Sequence, residues 1–145
     1  TLKGKVRNKV VLITGGSSGI GLSTAQRVAE AGATTIIVAR GEEELFKARD
    51  AMKKDGGKVF AYTADLADMA SCDALVTQVL AEHGHVDILI NNAGRSIRRS
   101  IEASYDRFHD FERTMQLNYF GSIRLIMGFM PKMTERRKGH IINIS

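Results

Sequence analysis

Cysteine occurs once, at position 72, so no disulfide can close within the chain, a usage that fits a reducing cytoplasm. Cys72 falls in helical register with Leu75, Val76 and Val79, which makes a buried, inert thiol the expectation. Long hydrophobic runs are missing too. The apolar stretches are strand-sized, well short of the ~20 residues of a membrane span, and no charged, leader-like segment precedes one. A soluble protein is expected. The four histidines show no metal-ligand spacing with cysteine or carboxylates, so no metal site is expected. Repeats and low-complexity linkers are absent from the 145 residues, a length that supports one domain with a real core but not two.

The formal net charge of +5 permits a nucleic acid or an anionic cofactor as partner. Distribution decides between them. Basic residues are scattered, with local excess at Arg95 to Arg99 and Lys132 to Lys138, and the arginines lack the interleaved aromatics of a nucleic-acid module. No nucleic-acid partner is expected. The second cluster, Arg136-Arg137-Lys138 before Gly139, suits a solvated helix C-terminus, where cations meet the negative end of the dipole.

Strand-like apolar runs alternate with helical patterns along the chain. Strands are expected at Val10 to Ile13, Thr34 to Ala39, Val59 to Tyr62, Val86 to Ile90 and Ile141 to Ile144. Helices are expected at Ile20 to Ala31, from Glu42 to Lys54, at Asp68 to His83 and, as one long element, from about Tyr105 to Met133. Such alternation predicts an α/β fold with a doubly wound, Rossmann-like parallel sheet. Right-handed crossovers give the order 3-2-1-4-5, with ligands at the strand C-termini near the switch between strands one and four.

At that switch lies Thr14-Gly15-Gly16-Ser17-Ser18-Gly19-Ile20-Gly21, between the first strand and the first of these helices. Unpaired N–H groups and a helix dipole converge there, which makes it a phosphate-binding turn. Gly15 takes the tight turn, Gly19 lets a pyrophosphate approach, Gly21 lets the helix pack on the strand, and Ser17 and Ser18 add hydroxyl donors. The spacing G-x-x-x-G-x-G is not the common G-x-G-x-x-G fingerprint, and alone it also suits an ordinary strand-to-helix turn.

Arg40 ends strand two, preceded by Ala39, where an acidic residue would hold free ribose hydroxyls and repel a phosphate. A guanidinium forks onto phosphate, so the position argues for NADP; the alternative is a surface arginine opening a loop.

With Thr14 in front, this glycine turn resembles that of the short-chain dehydrogenase/reductase family, T-G-x-x-x-G-x-G. Asn91-Asn92-Ala93-Gly94, ending strand four, matches a second signature of that family, and Asn118 in Gln116-Leu117-Asn118-Tyr119-Phe120-Gly121 a third. The resemblance implies an NADP-dependent oxidoreductase that transfers hydride between NADPH and a carbonyl or alcohol. It assigns cofactor contacts to Gly15, Ser17, Ser18, Gly19, Ile20, Gly21, Arg40, Asp65, Leu66, Asn92, Ala93 and Gly94, with Asp65 at the adenine or, alternatively, as a turn residue or helix cap. Asn118 would hold a water-linked proton relay. Its spacing with Phe111, Met115, Ser122, Leu125 and Phe129 places it on a core-facing helix stripe, where a satisfied structural amide is the alternative.

Gly139 to Ser145 resembles the family's fifth strand, which puts Ser145 one position before the catalytic serine. Tyr62, Tyr105 and Tyr119 have no lysine four residues on, so the family's Y-x-x-x-K pair is not among these residues. Residues 1–145 are therefore expected to be the dinucleotide-binding part of a single domain, its sheet incomplete at the C-terminal side and with an unpaired edge at Ile141 to Ile144. A non-catalytic NADP-binding regulatory or scaffold protein stays open. Asn91 through Phe120, especially Arg95 to Ile101 and Ser104 to His109, further resembles the reductase domain of bacterial alcohol-forming fatty acyl-CoA reductases, which implies a long-chain substrate and arginines that meet the phosphates of a CoA-type carrier, with a solvated loop as the alternative. The family also implies a homo-dimer or homo-tetramer through the long helix, with Phe108, Ile126 and Met130 on its second face.

Overall fold

β1 (Val10–Thr14) has all five residues buried, as a short apolar run bounded by turn residues should when it lies mid-sheet. It pairs in parallel with β2 (Thr34–Ala39) on one side, and β2 with β3 (Lys58–Thr63). On its other side lie β4 (Ile88–Asn91) and then β5 (His140–Asn143), also parallel. The order β3-β2-β1-β4-β5 is the doubly wound arrangement expected. The computed structural model describes residues 1–145 throughout.

Period-two alternation along the strands divides the core into two layers. Val10, Leu12, Ile36 and Val38 face Leu75 and Val79 of α4 (Met69–His83) and Leu125 and Phe129 of α6 (Ser122–Arg136). Val11, Ile13 and Ile37 face Ala25 and Val28 of α2 (Gly19–Glu30) and Leu45 and Met52 of α3 (Glu42–Lys54). Helices cover both faces, which explains why the central strands read as continuous apolar runs. Phe129 is fully buried, so truncating it to alanine would cost about 3–5 kcal/mol.

The helix signals hold where they are local. Glu42, Glu43 and Glu44 occupy the first turn of α3 and Lys53 and Lys54 its last; Asp68 caps α4 by accepting the Ala70 N–H at 3.0 Å. α6 ends on the basic cluster, with Arg137 in the left-handed region at φ 55°. Arg136 is more than solvated, since its Nη1 donates to Asp87 Oδ1 at 2.8 Å. Asp87 also takes the Val10 N–H on Oδ2 at 2.8 Å, tying the lower end of β1; β4 accordingly starts at Ile88, two residues later than expected.

Two elements depart from expectation. A short helix, α1 (Leu2–Val6), precedes β1; five residues carry too little periodicity to be read, and its cap is Thr1, whose Oγ1 accepts the Gly4 N–H at 3.2 Å. The expected long helix is instead a 3₁₀ turn at Glu102–Ser104, α5 (Phe108–Met115), a π-helical segment at Gln116–Gly121, and α6. A wide π turn shifts the register of one end against the other. Met115 is therefore 51% exposed and Asn118 exposed, and the inward stripe runs through Leu117, Gly121, Leu125, Phe129 and Met133. At Gly121 the backbone sits so close to the Leu66 carbonyl that a Cβ would collide with it, so the wide turn ends on a residue that has to be glycine. Ile126, expected on an outer face, is partly buried against the core.

Candidate functional site

The turn leaving β1 is held by two glycines in the left-handed region, Gly15 at φ 66° and Gly19 at φ 55°. A Cβ at Gly19 would meet nothing within 4 Å, so the turn is open on its outer side. Gly21 is its opposite. A Cβ there would land on the Gly15 carbonyl and within 2.6 Å of Asn92 Nδ2, so α2 packs on the strand end only because the side chain is absent. Ser18 is the N-cap of α2, yet its hydroxyl makes no bond to the helix, and no acidic residue stands in the first turn. The first N–H groups of α2 and its positive dipole end thus face open space flanked by Ser17, Ser18 and the exposed Ile20. An anion fits there.

The ends of β1 and β4 are tied together where the strand order reverses. Thr14 Oγ1 accepts the N–H groups of Asn92 and Ala93, both at 2.9 Å, and donates to the Ile90 carbonyl at 3.4 Å. Asn92 Nδ2 donates to the carbonyls of Thr14 and Gly15 at 3.2 and 3.4 Å, which ties the two loops together. Asn91 Nδ2 reaches across to Asn143 Oδ1 at 3.0 Å. Thr14 is the positioning residue that sequence reasoning missed. Its signal is a lone hydroxyl ending the aliphatic run Val10-Val11-Leu12-Ile13.

Beside this knot opens a cavity of about 240 Å³ that brings together Gly15, Arg40, Asp65, Leu66, Ala93 and Gly94 from the ends of four strands. Ser17 to Gly21 and Asn92 are not part of its wall; they form the adjoining turn and its support. Arg40 is exposed at its edge. Asp65 forms a turn: Oδ1 accepts the Ala67 N–H at 3.1 Å, while Oδ2 lies 3.8 Å from Arg113. Leu66 is buried in the core, and its carbonyl accepts the Cys72 thiol at 3.6 Å. Burial, followed by the nearby Asp73 and Asp68 charges, pushes that thiol up to about 11, so Cys72 is inert at neutral pH.

Asn118 lies outside the cavity wall. Its Oδ1 accepts the Arg95 N–H at 2.8 Å and its Nδ2 donates to the Arg95 carbonyl at 2.6 Å, a pairing that fixes which way the amide points. It holds the segment after Gly94 and is partnered from an exposed position, not from the core as the stripe predicted.

The cavity and the knot together have the shape expected of a dinucleotide site at a topological switch point. The family model described as short chain dehydrogenase matches residues 9–145. This chain belongs to the short-chain dehydrogenase family. It is 55% identical over 140 residues, 97% of the chain and 48% of the relative, to a fatty acyl-CoA reductase of Acinetobacter baylyi. Among solved short-chain dehydrogenases, a metagenomic short-chain oxidoreductase in complex with NADP superposes with a TM-score of 0.90 at 30% identity, over 97% of this chain and 63% of that one. L-Sorbose reductase of Gluconobacter frateurii, complexed with NADPH and L-sorbose, gives 0.88 at 35% identity, over 95% and 52%. The chain spans about half the length of the curated relatives it matches. No helix is long and apolar enough to cross a membrane.

Proposed function

We propose that this chain is the NADP-binding part of an oxidoreductase that acts on a carbonyl or alcohol, with a fatty aldehyde or fatty acyl-CoA as the substrate class. The observation that carries the reading is Arg40, placed directly after β2 with Ala39 before it, on the same cavity as the glycine turn. A carboxylate there would repel a 2′-phosphate; a guanidinium forks onto it. The empty space over Gly19 and the idle Ser18 hydroxyl support room for a pyrophosphate at the start of α2. Asp65 and Leu66 would flank the adenine, and Ala93 and Gly94, lacking bulk, would admit the flat ring system that continues toward the substrate. Bound NADPH supplies a hydride to a carbonyl carbon. Asn118, locked to the Arg95 main chain, would fix the loop beside the reacting end and hold a water for proton delivery.

The fatty substrate class is supported by the 55% identity to the Acinetobacter baylyi reductase. A homo-dimer or homo-tetramer is supported by an exposed apolar face along α5 and α6, where Phe108 is 71% and Met127 63% exposed. The lone buried Cys72 supports a reducing, cytoplasmic setting.

The test is a titration of NADPH and NADH into the full-length protein and its Arg40→Ala variant, alongside NADPH oxidation with a long-chain aldehyde. NADPH affinity should fall about 10- to 150-fold in the variant while NADH is unchanged. Equal weakening of both, or tighter NADH binding by the unaltered protein, would overturn the NADP assignment. Binding without turnover would leave a regulatory or scaffold protein.

A further inference from the structure

Four arginines, Arg95, Arg98, Arg99 and Arg113, line a second cavity of about 300 Å³ together with Asp110 and Thr114. Arg95 and Arg113 line the first cavity as well, so the two spaces share a wall. All four arginines are exposed to solvent, and the nearby carboxylates balance their charge only in part, which leaves a positive field over the cavity. Asp110 Oδ2 takes Arg99 Nη2 at 2.8 Å and Arg107 Nε at 2.7 Å, and Asp65 meets Arg113 only at 3.8 Å. Arg95 and Arg98 are left without a carboxylate. The Arg107 hydrogen bond, followed by that of Arg99, holds the Asp110 carboxyl down to about 2, so it stays charged and keeps both arginines engaged at any physiological pH.

The lining is also built. Arg99 Nε donates to Ser104 Oγ at 3.0 Å, which fixes the guanidinium from a second side. The Arg95 backbone is clamped at both its N–H and its carbonyl by Asn118, leaving the side chain free to reach a ligand. A loop with three arginines in five residues is thereby anchored beside the path from cofactor to substrate, with unspent positive charge facing a cavity larger than one phosphate needs.

We infer that this cavity holds the phosphates of a coenzyme A thioester, with Arg95 and Arg98 as the recognising residues and Arg99 and Arg113 as the fixed positive background. The inference rests on the reductase reading above, and it narrows the substrate class to the thioester. A free aldehyde carries no charge, so the arginines would have nothing to bind. A coenzyme A thioester brings a diphosphate and a ribose phosphate, and guanidinium groups bind both well. The cofactor's own phosphates are accounted for elsewhere, at Arg40 and at the start of α2.

The test uses the full-length protein with and without NADP⁺, titrated calorimetrically with coenzyme A, dephospho-coenzyme A and pantetheine, at low and high salt. Coenzyme A should bind at least about 100-fold tighter than pantetheine, with dephospho-coenzyme A between them and the difference shrinking as salt rises. The variant Arg98→Gln, at the residue of the pair that lines the second cavity alone, should lose about 10-fold in coenzyme A affinity, with its circular dichroism spectrum and NADPH affinity retained. Equal binding of coenzyme A and pantetheine would overturn the inference, as would wild-type coenzyme A affinity in the variant. A parallel loss of NADPH affinity would also overturn it and return the arginines to the cofactor. The two readings fail separately: phosphate-dependent coenzyme A binding without NADPH binding sinks the reductase and keeps the site, while aldehyde reduction without phosphate discrimination does the reverse.

Discussion

Thr14 Oγ1 accepts the backbone N–H of Asn92 at 2.9 Å while Asn92 Nδ2 donates to the Thr14 carbonyl at 3.2 Å, a reciprocal pair that closes the sheet where its order reverses. Thr14→Val keeps the shape of the side chain and removes the acceptor. Two backbone donors, on Asn92 and Ala93, then lose their partner, and urea denaturation should show a loss of about 2–4 kcal/mol together with weaker NADPH binding. Thr14→Ser should restore most of both. A Thr14→Val protein as stable as the unaltered one would show that the pair is incidental.

Gly19 and Gly21 should fail in different ways, although both belong to one motif. Gly19→Val places a side chain in open space at φ 55°, so the fold should survive a cost of about 1–2 kcal/mol while NADPH binding disappears. Gly21→Ala pushes a methyl into the Gly15 carbonyl, so stability should fall by about 1–3 kcal/mol, even in the absence of nucleotide. Thermal melts with and without NADPH separate the two. Cofactor stabilisation of Gly19→Val equal to that of the parent would refute the assignment.

Asp87 should give the protein an acid-sensitive component of stability. Burial pushes its carboxyl up, but the Val10 N–H, Arg136 and His85 together outweigh burial and leave it below the ordinary value of 3.8. A depressed carboxyl stabilises the fold at every pH above its unfolded value, and that contribution is lost as pH falls through the folded one. Asp87→Asn should therefore cost about 1–3 kcal/mol at pH 7, and the gap to the parent should narrow below about pH 4. A gap independent of pH in urea melts would mean that the carboxylate charge contributes nothing.

Assembly should depend on the outer face of α5 and α6. Met127 and Phe108 are mostly exposed, so Phe108→Glu with Met127→Glu should leave the fold intact and shift the light-scattering mass of the full-length protein toward the monomer. An unchanged mass would place the subunit contacts elsewhere.

The strand order was legible because each βα unit carries its own period and stop signals, and right-handed crossovers leave few ways to stack them. The place of Arg40 was legible because it directly follows the last residue of strand two. Asn118 was placed on the wrong face because an unbroken 3.6 period was carried through Gln116–Gly121, and the contact of Gly121 with the Leu66 carbonyl inside that turn has no local trace. Thr14 was read as part of a motif, and its bonds to residues 78 and 79 positions away have no local trace. The arginine cavity was half visible: the loop stood out by charge, while Arg113 and the Asp110 brace join it only in three dimensions.

The wide turn at Gln116–Gly121 works as a coupling with one tooth of play. Downstream of it, Leu125, Phe129 and Met133 are bolted into the core; upstream, α5 and the loop it braces are indexed separately. Deleting a single residue within the turn would take out the extra residue and leave the flanking helices facing as they do, whereas a deletion in the regular helix of α6 would swing everything upstream by about 100°. Only in the second case would Asn118 release Arg95 and the arginine lining turn away from the cleft. The wide turn thus lets the clamp on Arg95 and the stripe of Leu125 and Phe129 keep separate registers along one continuous helix.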